Sequence, residues 1–323
     1  SNSTLNNNGT LNNNYSSVYN NKANSTLNNN TAGQYNNSGL TKIEFNSIFN
    51  NKADYNNLLN NNDSSVLNIL GTLNNNKDNT DTGVIVNNSL IYFNRDGANL
   101  GTLNNNSEIT NNKYILNRSL VNNNAGGLIT SNHLLRVGST GTMNNFGSTD
   151  IVSGSFTNDG IYINKANSLI ISKAILVNNN SYTNQGRFKV FKTSTVNNNS
   201  TIINDSSIIN YGIMNNLSTF TSNSTGIITN YRTIDNVNGA TITNAGQITN
   251  KKLGSSNFDS MDTSDIYGIL NNTGTINLNT GQVTNSGKIQ NNVTTGILNN
   301  KAIIETDSLI LNYGTINNQN TSR

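Results

Sequence analysis

The sequence predicts an all-β fold, a right-handed parallel β-solenoid (β-helix) with about 20 residues in each three-sided coil. Three observations carry this. First, a phrase of turn residue, aliphatic and Asn recurs from end to end: Gly9-Thr10-Leu11-Asn12, Gly71-Thr72-Leu73-Asn74, Gly101-Thr102-Leu103-Asn104, Gly141-Thr142-Met143-Asn144 and Gly314-Thr315-Ile316-Asn317. Second, a fine period of about six or seven residues sets Gly268, Gly274, Gly281 and Gly287 two places before Leu270, Ile276, Val283 and Ile289. Third, a coarse period of about twenty makes Tyr211 to Asn230, Tyr231 to Asn250 and Tyr267 to Ser286 open alike. Three short strands per twenty-residue repeat are the pattern of a stacked solenoid.

Each element follows from this pattern. Glycine and Thr begin short strands after tight turns. One or two aliphatics per strand point inward, while Thr and Asn point outward. Leu73, Leu103, Val121, Met143, Ile163, Val177, Val196, Met214, Ile234, Leu270 and Ile316 are expected to form a structural ladder of stacked core residues. Asn is expected to turn the corners in the left-handed conformation. Its amides, repeated at every coil, are expected to bond along the axis. About sixteen coils at ~4.8 Å would make a rod roughly 75–80 Å long.

Along the chain, 1–60 reads as less regular N-terminal coils, 61–250 as regular coils, 251–266 as an inserted loop and 267–323 as C-terminal coils, all of one solenoid. Neither end shows a helical cap. Open solenoid ends carry unpaired strand edges, which leaves two readings: the chain is one part of a longer solenoid, or copies stack head to tail into a filament. No signal peptide is visible, so export would require a signal outside this sequence.

Composition narrows the function. Asn is roughly a quarter of the 323 residues, while hydrophobic residues are 33% and charged residues 11%. A solenoid needs only a narrow apolar column, so this content suffices. Pro is absent, as expected where nearly every stretch pairs on both sides. Cys is absent, which excludes disulfides and thiolate metal sites. The net charge is +3 with scattered cations, so no nucleic-acid stripe forms. No apolar run approaches the ~20 residues of a membrane span.

Candidate chemistry is sparse. His133, the only His, sits near Arg136 and reads as an exposed strand or turn residue. Asp259, Asp262 and Asp265 in the inserted loop could gather around Ca²⁺, which takes oxygen ligands, but the spacing matches neither an EF-hand nor the nonapeptide Ca²⁺ repeat, and a solvated acidic loop is the favoured reading. Asp78, Asp81 and Gly83 are a weaker case of the same kind. No other cofactor is expected. A polysaccharide-degrading β-helix enzyme would need clustered carboxylates with basic partners, which the 16 acidic residues do not form. Thr241-Ile242-Thr243 is the kind of unit that ice binding uses, but it does not repeat in register along the sequence. Asn2, Asn8, Asn24, Asn36, Asn62, Asn117, Asn204 and Asn223 begin Asn-x-Ser/Thr sequons and are candidate glycosylation acceptors if outward-facing. Tyr211, Tyr231 and Tyr267 could stack on sugars or on one another.

The Gly-x-aliphatic-x-Asn units of Gly226–Asn230, Gly239–Asn250 and Gly268–Asn299 resemble those of bacterial right-handed β-helical surface proteins, of filamentous-haemagglutinin-like and autotransporter passenger type. The resemblance is one of repeat style and implies an extracellular or cell-surface adhesin or fibre. No site residue transfers from it. The expectation is a non-enzymatic subunit of a surface filament, with itself as partner. The alternatives are a rod-like adhesin that binds surface glycans and, less favoured, the polysaccharide-degrading enzyme.

Overall fold

The computed structural model describes residues 102–253 continuously, and before and after them the strands with a few flanking residues. All regular secondary structure among the described residues is β. The chain divides into two compact units, Ser1–Leu169 and Ile170–Arg323. Each is a parallel β-solenoid with three sheets, here called the first, second and third faces.

In the first unit the first face stacks Thr72–Asn75, Thr102–Asn105, Leu120–Asn123 and Thr142–Asn145 in parallel, with Leu73, Leu103, Val121 and Met143 in register. The second face stacks Glu108–Asn111, Leu128–Ser131 and Ser148–Ile151, and the third stacks Tyr114–Asn117, Leu134–Val137 and Ser155–Asn158. In the second unit the first face includes Thr201–Asn204, Thr219–Ser222 and Thr241–Asn244. The second includes Ser207–Asn210, Ile227–Asn230 and Gln247–Asn250, and the third Thr195–Asn198, Ile213–Asn216 and Thr233–Asn236.

Most strands have four residues with an out-in-out-in burial pattern, as in Thr102–Asn105 and Thr241–Asn244. The two-residue side-chain period of a strand dictates this. The second position carries the apolar core, Ile202, Ile208 and Met214 for example, and the fourth most often carries a buried Asn, with Ser131, Ser172 and Ser222 or the apolar Val137, Ile151, Val190 and Leu278 in other strands. In Thr-Leu-Asn-Asn the Asn beside the aliphatic therefore faces out, and the next one lies inside. Large aromatics fill some core slots edge to face: Tyr35 against Phe49 at 5.2 Å and Phe156 against Tyr162 at 5.1 Å. Thr replaces an aliphatic where a buried phenol needs a partner, as Thr41 does for the Tyr35 hydroxyl at 2.6 Å.

Several expectations are corrected. The eleven-residue ladder is not one column: Leu73, Leu103, Val121 and Met143 belong to a first face, whereas Val196, Met214, Ile234 and Leu270 belong to a third face. Ile163 and Val177 occupy outward positions, because Tyr162 and Leu176 hold the inward ones. A one-residue slip in register moves a side chain to the other side of the sheet. Ile316 aligns with Leu298 and is 41% exposed. The corners do not use left-handed Asn, since Asn167 alone has a positive φ among the described non-glycine residues. Corner Asn instead folds its side chain onto the backbone. Asn117 Oδ1 accepts the Ser119 N–H at 2.9 Å and Asn210 Oδ1 the Gly212 N–H at 3.0 Å, the geometry of an Asx turn.

The twenty-residue repeat is an average. Equivalent ladder residues are 18 to 22 apart in most coils, but 30 apart between Asn75 and Asn105 and 36 between Asn236 and Asn272. The longer coils carry antiparallel excursions, Lys77–Asp78 with Asp81–Thr82, Arg95–Asp96 with Asn99–Leu100, and Lys252–Leu253 with Ile266–Tyr267. Most of the expected 251–266 loop, residues 254–265, lies outside the described residues.

The asparagine ladders as candidate functional site

The fourth strand position places an Asn amide inside many of the corners, where the next coil often places another. On the third face of the second unit this gives an unbroken run: from Asn178 through Asn198, Asn216, Asn236, Asn272 and Asn291 to Asn312, each passes a hydrogen bond from Nδ2 to the following Oδ1, at 2.7–2.8 Å. The second face of that unit repeats it through Asn210, Asn230, Asn250 and Asn285, each step 2.8 Å. In the first unit Asn75, Asn105, Asn123, Asn145 and Asn164 do the same at 2.7–2.8 Å.

The second amide hydrogen is also used. Asn123 Nδ2 reaches Ser148 O at 2.8 Å, and Asn210 Nδ2 reaches Thr233 O at 2.8 Å. These carbonyls open the following strand of the next coil, so one side chain ties two coils at two points. Burying an amide without partners costs several kcal/mol. Within these runs each amide is satisfied by the same atoms one coil away, and the polar interior becomes a coil-to-coil linkage.

Direction separates the inner and outer columns. Every inner ladder donates toward the later coil. The outer Asn beside the aliphatic donates toward the earlier coil: Asn104 to Asn74, Asn122 to Asn104, Asn144 to Asn122 and Asn215 to Asn197, at 2.8–3.1 Å. The two columns thus oppose their amide dipoles.

The remaining candidates fall on the surface or outside the described residues. His133 is exposed at a corner, its carbonyl accepting the Ser155 N–H at 3.1 Å. Nearby, Arg136 pairs with Asp159 at 2.6 Å, which holds the guanidinium pKa above its usual value. Asp259, Asp262 and Asp265 lie outside the described residues, as does Gly83. Among the described residues no group of three His, Cys, Asp or Glu could hold a metal. An apolar cavity of about 20 Å³ lies in the second unit, between Val196, Met214, Phe220 and Ile242. That is one water in size and far below the volume of a small-molecule site.

Asn117 and Asn204 are fully buried inward-facing residues and cannot accept a glycan in the folded chain. Asn223 is exposed and donates to Asp205. Asn2, Asn8, Asn24 and Asn62 lie outside the described residues, and Asn36 stands in the strand Gln34–Asn37. Tyr211 and Tyr231 stack at 4.8 Å and 8°, face to face along the coils. Lys189 lies over Phe191 at 4.8 Å and over Tyr211 at 5.5 Å. Tyr211 is thereby covered by both Tyr231 and Lys189. Tyr267 instead pairs with Lys252 in the antiparallel excursion.

Sequence spacing concealed one surface. Thr219-Phe220-Thr221 and Thr241-Ile242-Thr243 are in register, and Thr201 and Thr275 continue the first column. The expectation that this unit does not repeat is therefore wrong. Turns of unequal length shift the residue numbers while the coils remain aligned. In each unit the first-face strands contain no charged residue, whereas the second and third faces carry Glu108, Asp150 and Arg136 in the first unit and Arg187, Lys189, Asp235 and Lys288 in the second.

Among the described residues no helix is long and apolar enough to cross a membrane. No protein family's model matches the chain, and no curated protein is significantly similar to it. What the fold establishes is a parallel β-solenoid whose coils are tied by buried asparagine ladders.

Proposed function

We propose that the chain is a structural, non-enzymatic protein of the extracellular or cell-surface space, a subunit of a filament built by stacking β-solenoids. The observation that carries this reading is the seven-residue ladder from Asn178 to Asn312, in which every coil offers the next the same donor and acceptor. Such a bond is indifferent to which copy supplies the next coil, so copies can extend one another head to tail as an open heterologous assembly. Electron microscopy and light scattering of purified protein test it. Long fibres of uniform width, lengthening with concentration, are expected. Isolated short rods at every concentration would overturn it.

A second reading, a rod-like adhesin for surface glycans, is favoured by the charge-free first face with its hydroxyl and amide rows. It differs in outcome. Replacing Thr219 and Thr241 with Lys should abolish attachment to a glycan array while leaving fibres intact. Deleting 254–265 separates this face from the inserted loop as the attachment point.

A further inference from the structure

We infer that Asn238 is a self-modification site, at which the chain converts its own side-chain amide to aspartate and isoaspartate. The Gly239 nitrogen, on losing its proton to hydroxide, adds to the Asn238 Cγ. The bond to Nδ2 breaks, ammonia leaves, and a five-membered succinimide closes. Water then adds to either ring carbonyl and reopens it. The net change is one amide exchanged for one carboxyl, with ammonia released and no oxidation or reduction.

The reaction needs a side chain able to turn back on its own backbone, a following N–H not held elsewhere, and little bulk at the attacking nitrogen. The ladder denies all three. Ladder amides are held by neighbouring coils, and the residue after each gives its N–H to the preceding coil. Phe146 donates to Asn123 O at 2.7 Å, Tyr231 to Asn210 O at 2.8 Å and Lys251 to Asn230 O at 2.8 Å. The described ladders therefore protect their amides by stacking them.

Asn238 stands outside that protection. It occupies the second place of the turn Val237–Ala240, closed by the Ala240 N–H on Val237 O at 3.0 Å. Gly239 follows with φ +83°, the third position of a type II turn, and a Cβ there would meet no atom within 4 Å. Both residues are exposed, and no described residue bonds the Asn238 amide or the Gly239 N–H.

Turns of similar form lack the combination. Asn167 is followed by Ser168, whose N–H is held by Lys165 O at 3.2 Å. Asn223 is followed by Ser224 and gives its amide to Asp205. The other Asn-Gly pair in the sequence, Asn8-Gly9, lies outside the described residues. The change at 238 adds a negative charge, and in the iso form a backbone methylene. Val237 and Thr241 bond the preceding coil at Asn216 O and Ser218 O on either side, so the turn alters between intact rungs.

The test holds intact protein in warm, mildly alkaline buffer made with ¹⁸O water, followed by peptide mapping. Expected is acid carrying the heavy oxygen at position 238, mostly as isoaspartate and faster as pH rises, while Asn167, Asn223, Asn236 and Asn250 keep their nitrogen. Asn238→Gln, which cannot close the five-membered ring, should lose the signal with circular dichroism unchanged. In urea that unfolds the chain, Asn244 and Asn285, followed by Ala245 and Ser286, should begin to convert. The inference is overturned if Asn238 keeps its amide while Asn167 or Asn223 converts. It is also overturned if folded ladder amides convert as fast as Asn238.

Discussion

Replacing Asn230 with Asp tests the ladder with almost no change in shape. Asn230 is 0% exposed. Its Nδ2 donates to Asn250 Oδ1 at 2.8 Å, Ile269 O at 3.1 Å and Arg232 O at 3.2 Å. Its Oδ1 accepts from Asn210 Nδ2 at 2.8 Å and from the Arg232 N–H at 3.3 Å. Aspartate keeps the acceptor and deletes the donor, so three acceptors face an oxygen. An unmet buried polar group costs about 1–3 kcal/mol, and with three sharing one lost nitrogen the expected loss near neutral pH is about 3–5 kcal/mol.

Acid should reverse part of this loss. Burial beside the Asn250 carbonyl oxygen raises the folded pKa of the new carboxyl above its unfolded value of ~4. Above that pH the folded state binds more protons than the unfolded one, so the variant loses about 1.4 kcal/mol per pH unit until its folded pKa is passed. Below it the protonated acid regains one donor toward Asn250. Urea titrations followed by far-ultraviolet circular dichroism should show Asn230→Asp unfolding well before the wild type near neutral pH, with the gap narrowing toward ~4. Equal midpoints near neutral pH, or a gap that widens on acidification, would refute the reasoning.

Three further outcomes are expected. Ser222→Asn should stabilise the chain by about 1 kcal/mol in the same titration, because it supplies the missing donor to the buried, unpartnered Asn244 Oδ1. Asn123 already fits beside Gly127 in the matching turn, as the longer side chain at 222 would beside Gly226. Above pH ~10, stability should fall by about 1.4 kcal/mol per pH unit through Tyr162. This phenol is fully buried with its pKa raised by desolvation, so the folded state keeps a proton that the unfolded state releases; Tyr162→Phe should flatten that slope. Gly126→Ala, strained only by its φ of +83°, should cost ~1 kcal/mol. Gly246→Ala, whose Cβ would strike the Gly226 carbonyl oxygen, should cost several-fold more in thermal unfolding.

The sequence made the fold class legible because a solenoid repeats its local chemistry: the aliphatic-Asn phrase marks a core slot and a corner in nearly every strand. Which residue faced inward was harder to read. In Ile161-Tyr162-Ile163-Asn164 both isoleucines qualify as core, and only register with Met143 shows that Tyr162 takes the slot. The same ambiguity misplaced Val177. Asn was assigned correctly to a ladder and wrongly to left-handed corners, since composition cannot tell an Asx turn from a positive φ. The Thr rows were missed because coils of 18 and 22 residues place aligned threonines at uneven numbers. Asn117 and Asn204 show the limit of a sequon, which records chemistry but not burial.

Stacked amides bond coil to coil along the solenoid, and the proposed mechanical role depends on them. Pulling a single chain from its two ends in an optical trap tests it most directly. Resistance should be released coil by coil, in steps of roughly 70 Å of contour for about twenty residues, with Asn230→Asp weakening the release of its own coils alone. Release of the whole chain in one event, at a force the substitution leaves unchanged, would contradict it.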